Sequence, residues 1–136
     1  MAMKTKGLIK KSTDTTQKTS VGNSYDAAKK ATLVLNMPSG FPLNFHLEGL
    51  WVQMSSLNSS PTKLTIKISK DANGDECIVT GTESTIETGV TTATDGSCVY
   101  KIDLDYVFSS SSVYVFFKTD TGTVSVDAVE LTYNEG

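Results

Sequence analysis

The sequence holds no arginine, one histidine, one tryptophan, two cysteines and three prolines in 136 residues. Without arginine there is no planar fork to grip a phosphate at two points, and the lysines that remain are spread among threonine and serine, so nucleic acid is not an expected partner. A single histidine, His46, needs an orienting acid and a nucleophile or metal beside it to do catalysis. Glu48 shares its face, but no serine or cysteine stands in a nucleophile context, so His46 reads as a surface residue and no catalytic residue is expected. Cys77 and Cys98 fit neither a disulfide framework nor a zinc site, and read as two small hydrophobes in a reducing cytoplasm. No apolar run approaches the roughly 18–20 residues that span a bilayer, so no membrane partner is expected. Leu8-Ile9 is followed at once by Lys10-Lys11, which leaves no apolar region for a signal peptide.

What is present is a chain long enough for one domain, which buries roughly two-thirds of its unfolded surface without a staple. The net charge of −3 is unevenly placed. In residues 1–30 seven lysines stand against Asp14 and Asp26, giving +5, whereas in residues 31–136 five lysines stand against thirteen acids, giving −8. The stretch 11–24 (KSTDTTQKTSVGNS) has almost no apolar content and is expected as an extended arm. Residues 1–30 are therefore expected as a basic N-terminal arm and residues 31–136 as the folded body. The arm's lysines Lys4, Lys6, Lys10 and Lys11 are candidates for contact with an acidic neighbour or with the body itself. Asp26 to Lys30 suits one helical turn or an approach to a strand.

From residue 31 the hydrophobic period is two. Leu33 and Leu35 alternate with polar neighbours before a turn at Pro38-Ser39-Gly40. Phe45 and Leu47 alternate until Gly49, where the parity changes and Leu50, Val52 and Met54 follow, the mark of a bulge. Leu64, Ile66 and Ile68 lead to Asp71-Ala72-Asn73-Gly74-Asp75 and back through Cys77-Ile78-Val79, a hairpin signal. Thr91 to Gly96 is turn-rich. Tyr100, Ile102, Leu104, Tyr106 and Phe108 form one face of a strand whose other face is wet. Ser109 to Ser112 makes a turn into Val113–Phe117, which is apolar on both sides and is therefore a central strand or one that meets a partner. Val124, Val126, Val129 and Leu131 show a second parity break near Asp127. About eight short strands separated by Gly/Ser/Asn turns predict an all-β, two-sheet antiparallel sandwich of jelly-roll type.

Three features with chemical potential read as ordinary surface. The run Asp71 to Glu76 opens like a calcium loop, but Glu76 stands where that loop needs its glycine and Thr82 where it needs its last glutamate, so no metal is expected. Asp103 and Asp105, about 7 Å apart on one strand face, match a glycosidase pair in nothing else. No cofactor is expected. Tyr114 and Phe116 differ from these. They lie opposite Val113, Val115 and Phe117, so in a simple sandwich they point outwards, as a protein contact in preference to a sugar platform.

The segments Lys63 to Cys77 (KLTIKISKDANGDEC), Gly89 to Gly96 and Val113 to Val126 (VYVFFKTDTGTVSV) resemble small proteins found among the head genes of tailed bacteriophages. There a strand ending S-x-D-x-x-G-D precedes one ending K-T-D-x-G-T. The resemblance covers a little over a third of the chain, mostly at turns. It implies a capsid decoration, or cement, protein: a non-enzymatic jelly roll on the virion surface, assembled in the host cytoplasm. Its implied partners are the major capsid protein and copies of itself, as dimers or trimers. The other reading is a carbohydrate-binding or host-adhesion sandwich.

Overall fold

The computed structural model describes residues 9–35, 43–90, 92–108 and 112–135. The strands in chain order are β1 (Lys10–Asp14), β2 (Lys18–Val21), β3 (Ala31–Val34), β4 (Leu43–Asn58), β5 (Lys63–Ser69), β6 (Cys77–Thr85), β7 (Glu87–Thr88), β8 (Gly96–Phe108), β9 (Ser112–Thr119) and β10 (Thr123–Glu135), with a 3-10 turn at Ala27–Lys29. One sheet runs β1-β10-β4-β8-β7, with β2 also on β10, and the other runs β3-β9-β5-β6. Every described strand pair is antiparallel. The chain crosses from one sheet to the other after β2, β3, β4, β6, β8 and β9, and its first and last strands lie side by side. That connectivity is the jelly roll expected from the strand pattern.

The alternation of apolar residues fills the space between the sheets. Phe45, Leu47, Leu50, Val52, Leu64, Ile66, Val113, Val115 and Phe117 are all buried. Both Leu47 and Leu50 reach the core because the register of β4 against β8 shifts between Leu47 and Gly49. The chain is tight there, since a Cβ on Gly49 would stand 3.2 Å from the Tyr100 carbonyl oxygen. A second shift, between Val126 and Ala128, buries both Val126 and Val129. The Tyr100 hydroxyl on β8 donates to the Leu64 carbonyl on β5 at 2.6 Å, joining the two sheets through the core.

The boundary at residue 30 falls inside the sandwich. Lys10–Asp14 pairs along β10 from Tyr133 to Val129, and β2 continues on β10 at Val124 and Val126. Composition concealed this because an edge strand is held by its backbone, and only Ser12, Lys18 and Val21 of these strands are buried. At the corner between them, Asp14 accepts the amides of Thr16 and Thr32, each at 2.9 Å, and pairs with Lys18 at 2.8 Å. The Asp26 to Lys30 segment makes the 3-10 turn, with the Asp26 carboxylate accepting the Ala28 amide at 2.9 Å. The turn expected at Pro38-Ser39-Gly40 and residues 109–111 of the serine turn lie outside the described residues.

Candidate interaction surfaces

Phe116 does not face a partner. It is 2% exposed, although it sits on the outer side of β9, the parity opposite Val115 and Phe117. The β5–β6 hairpin folds over it: a Cβ on Gly74 would lie 3.0 Å from Phe116 Cζ, and Lys67 Nζ stands 5.0 Å from the ring centroid. The same ammonium lies 4.7 Å from the Tyr25 ring, Lys118 covers that ring at 4.9 Å, and Lys67 also donates to the Gly74 carbonyl at 3.3 Å. The ring is thus shielded within the monomer by the hairpin and by a lysine shared with the N-terminal Tyr25. Tyr114 is half-buried. β9 is a central strand, between β3 and β5.

Of the lysines expected at an interface, Lys4 and Lys6 lie outside the described residues. Lys10 and Lys11 belong to β1, and Lys11 is 3.5 Å from Glu130 on the neighbouring strand.

The outer face of the six-stranded sheet carries a charged group around His46. His46 Nδ1 and Asp105 Oδ1 are 2.8 Å apart, His46 Nε2 is 3.8 Å from Asp103, and Lys101 reaches Asp103 at 3.5 Å. Glu48 turns away from this group and accepts from Asn134 at 2.7 Å. Both nitrogens of the imidazole face carboxylates, an arrangement that holds the ring. Trp51 pairs across with Val99, and both are exposed. Their outward direction was legible in the parity that buries Leu50, Val52 and Met54.

At the β5–β6 turn the Asp71 carboxylate is spent on its own loop. It accepts from the Ser69 hydroxyl, from the Glu76 amide at 2.8 Å and from the Asn73 amide at 3.2 Å. These donors, the Ser69 hydroxyl first, hold its pKa down to about 2. Among the described residues no group of acids, histidine and cysteine is placed to hold a metal. Cys77 and Cys98 are both free thiols, and burial pushes that of Cys98 up to about 11, away from reactivity.

Open features remain among the described residues. A polar cleft of about 600 Å³ lies at the β1–β2 corner, lined among others by Thr16, Lys18, Lys29 and Lys30. A groove of about 340 Å³ separates the edges of β6 and β8, lined by Ile78, Val79, Ile102 and Leu104 with Lys101 and Asp103. The sheets close at one end of it, where the Ser84 hydroxyl donates to the Val99 carbonyl at 3.3 Å.

No known family profile matches the chain, and no curated protein matches it in sequence. Among solved structures it is similar to a chain of the cyanophage Pam1 capsid asymmetric unit, with a TM-score of 0.51 and 17% identity over 100% of this chain and 91% of that one. It is also similar to part of a family two carbohydrate esterase from Cellvibrio japonicus (0.39, 12%, covering 92% of this chain and 34% of that one). A third likeness is to part of an exo-beta-1,3-galactanase from Phanerochaete chrysosporium (0.33, 9%, covering 92% and 29%). At 17% identity the likeness to the capsid chain is one of fold.

Proposed function

We propose that this chain is a non-enzymatic structural virion protein that decorates and stabilises a bacteriophage capsid by bridging coat-protein subunits. The observation that carries the reading is the whole-chain likeness to a chain of a phage capsid asymmetric unit, in which nearly all of that chain is matched as well. A jelly roll of the same extent, taken whole, is what a stand-alone shell component needs. The uneven charge and the resemblance of the turn segments to phage head proteins support the same role. The reading places the chain on the outside of the shell, in contact with the major capsid protein and with its own copies. A glycan-binding role would draw on paired outward aromatics, and the burial of Phe116 removes one of the expected pair.

The test is to mix the purified chain with coat-protein shells stripped of their outer proteins. Co-sedimentation at a fixed ratio to coat subunits, with a raised rupture temperature, is the expected result. A chain that stays in the supernatant, or binds without changing shell stability, overturns the proposal.

A further inference from the structure

We propose that the polar cleft at the β1–β2 corner binds carboxylate groups presented by an acidic segment of a partner protein. The cleft encloses about 600 Å³, and its lining sets Lys18, Lys29 and Lys30 against one acid, Asp14. That acid is already occupied. Its Oδ1 accepts the Thr16 amide, and its Oδ2 accepts the Thr32 amide and stands 2.8 Å from Lys18 Nζ. The lysines keep donors in reserve. An ammonium has three N–H groups. Lys18, with its side chain 6% exposed, gives one to Asp14 and one to the Thr16 carbonyl, which leaves the third without an acceptor among the described residues. Lys30 gives one, to the Ala27 carbonyl at 3.0 Å. Lys29 Nζ has no acceptor among the described residues. Because Lys18 is withdrawn from water in the free chain, an anion that reaches it feels a weakly screened charge and adds little further desolvation of the lysine.

The charge arrangement selects a carboxylate over a phosphate. There is no arginine to grip a phosphate at two points. An anion at Lys18 also lies beside the fixed charge of Asp14, and that repulsion is about twice as large for a phosphate dianion as for a carboxylate.

The shape selects a segment over a free small acid. Lys29 also lines an adjoining cleft of about 420 Å³, together with Ser24, Tyr25 and Asp26. The two clefts meet at Lys29 and make a track longer than a small anion. Exposed hydroxyls of Thr13, Thr15, Thr16, Thr19 and Thr32 offer donors along its first part. Each such contact is weak in water, and several carried on one chain add through their effective concentration.

The inference does not rest on the virion reading, since the purified full chain and a soluble peptide test it without shells. The probe is a capped pentapeptide with glutamate at its second and fourth positions and glycine elsewhere. The same peptide with glutamine, and inorganic phosphate, are the comparison ligands. Amide proton–nitrogen spectra at low salt follow each titration. The glutamate peptide is expected to move the amides of residues 13–19 and 28–32 and to bind about tenfold or more tightly than either comparison ligand. Lys29→Gln/Lys30→Gln leaves the Lys18–Asp14 pair in place and is expected to weaken binding by about tenfold, the loss of two partly exposed charges. Lys101→Gln removes an exposed lysine of β8 and should bind as the wild type does. Four results each overturn the proposal: cleft amides that do not move, phosphate or the glutamine peptide binding as tightly, unchanged affinity in Lys29→Gln/Lys30→Gln, and equal weakening by Lys101→Gln, which would reduce the effect to overall charge.

Discussion

Asp14 and Lys18 face each other at 2.8 Å across the corner between β1 and β2, with side chains only 12% and 6% exposed. Lys18 also donates to the Thr16 carbonyl at 2.6 Å. The pair fastens the first two strands to each other and, through the Thr32 amide, to the opposite sheet. Replacing Lys18 with Met leaves the carboxylate with its amide donors but no counter-charge. The expected cost is about 2 kcal/mol, below the range for a fully buried pair because those donors remain. Urea denaturation measures it, and an unchanged midpoint would show that the pair contributes nothing net.

Acid should destabilise the fold in a defined window. Burial opposes ionisation of Asp14, but Lys18 and the two amides outweigh it and hold the pKa below the ordinary 3.8. Asp71 is held down to about 2 by Ser69 and Glu76. The hydroxyl and amide of Thr62, together with the Lys63 amide, lower that of Asp120. A carboxylate depressed in the folded state contributes stability that is fully present above its unfolded pKa. That stability is lost as pH falls through the folded value. The unfolding free energy is therefore expected to be flat in these groups above about pH 5 and to decline below pH 4, still falling near pH 2. Urea midpoints taken across this range test it. Asp120→Ala should flatten the decline, and at pH 7 should cost about 1 kcal/mol once solvent screening at this exposed turn is allowed for.

Truncation should separate two parts of the N-terminus. Deleting residues 1–8 removes nothing that pairs with β10 among the described residues, so the body should melt as before. Deleting residues 1–24 strips β1 and β2 from β10 and uncovers the surface that Val21 buries. That shorter chain is expected to melt well below the intact one or to aggregate, as a newly bared strand edge does. Equal melting temperatures for the two truncations would contradict the pairing.

Two glycines distinguish strain from collision. Gly122 has φ +64, and a Cβ there would run into the carbonyl oxygen of Asn58. Gly89 has φ +78 with open space around it. Alanine at Gly89 should cost about 1 kcal/mol for backbone strain, and at Gly122 about 3 kcal/mol or more, as the β4–β5 turn is pushed aside. Thermal melts of the two variants should fall in that order.

Phe116→Ala should destabilise the monomer by about 3 kcal/mol, the range for emptying a buried aromatic site. Tyr114→Ser, at a half-buried position, should cost clearly less. The reverse order in chemical denaturation would return Phe116 to the surface.

The parts of this fold governed by alternation were legible. The parity breaks at Gly49 and Asp127 appear as register shifts in β4 and β10, and the Asn73-Gly74 turn joins β5 to β6. The parts governed by contacts between distant segments were not. Nothing in Lys10–Asp14 announces a strand, because its partner lies more than a hundred residues away and supplies backbone, not a side-chain pattern. Phe116 was misread for a related reason. Period two says which side of a strand a ring occupies, but not that a hairpin and Lys67 fold over that side. The exposed Trp51–Val99 pair was written in the same parity as the buried residues between which it falls.

β10 is needed by β1, β2 and β4 alike, yet it is made after all three. Until it emerges, the larger sheet lacks the strand that joins its edge to its middle, and the nascent chain carries strands with no partner to hold them. Commitment to the native state therefore waits for β10 to be made. Such long-range closure makes assembly slow and leaves the unfinished chain prone to wrong pairings. Its polar, threonine-rich first strands are well suited to that interval, because they stay in water until the partner arrives.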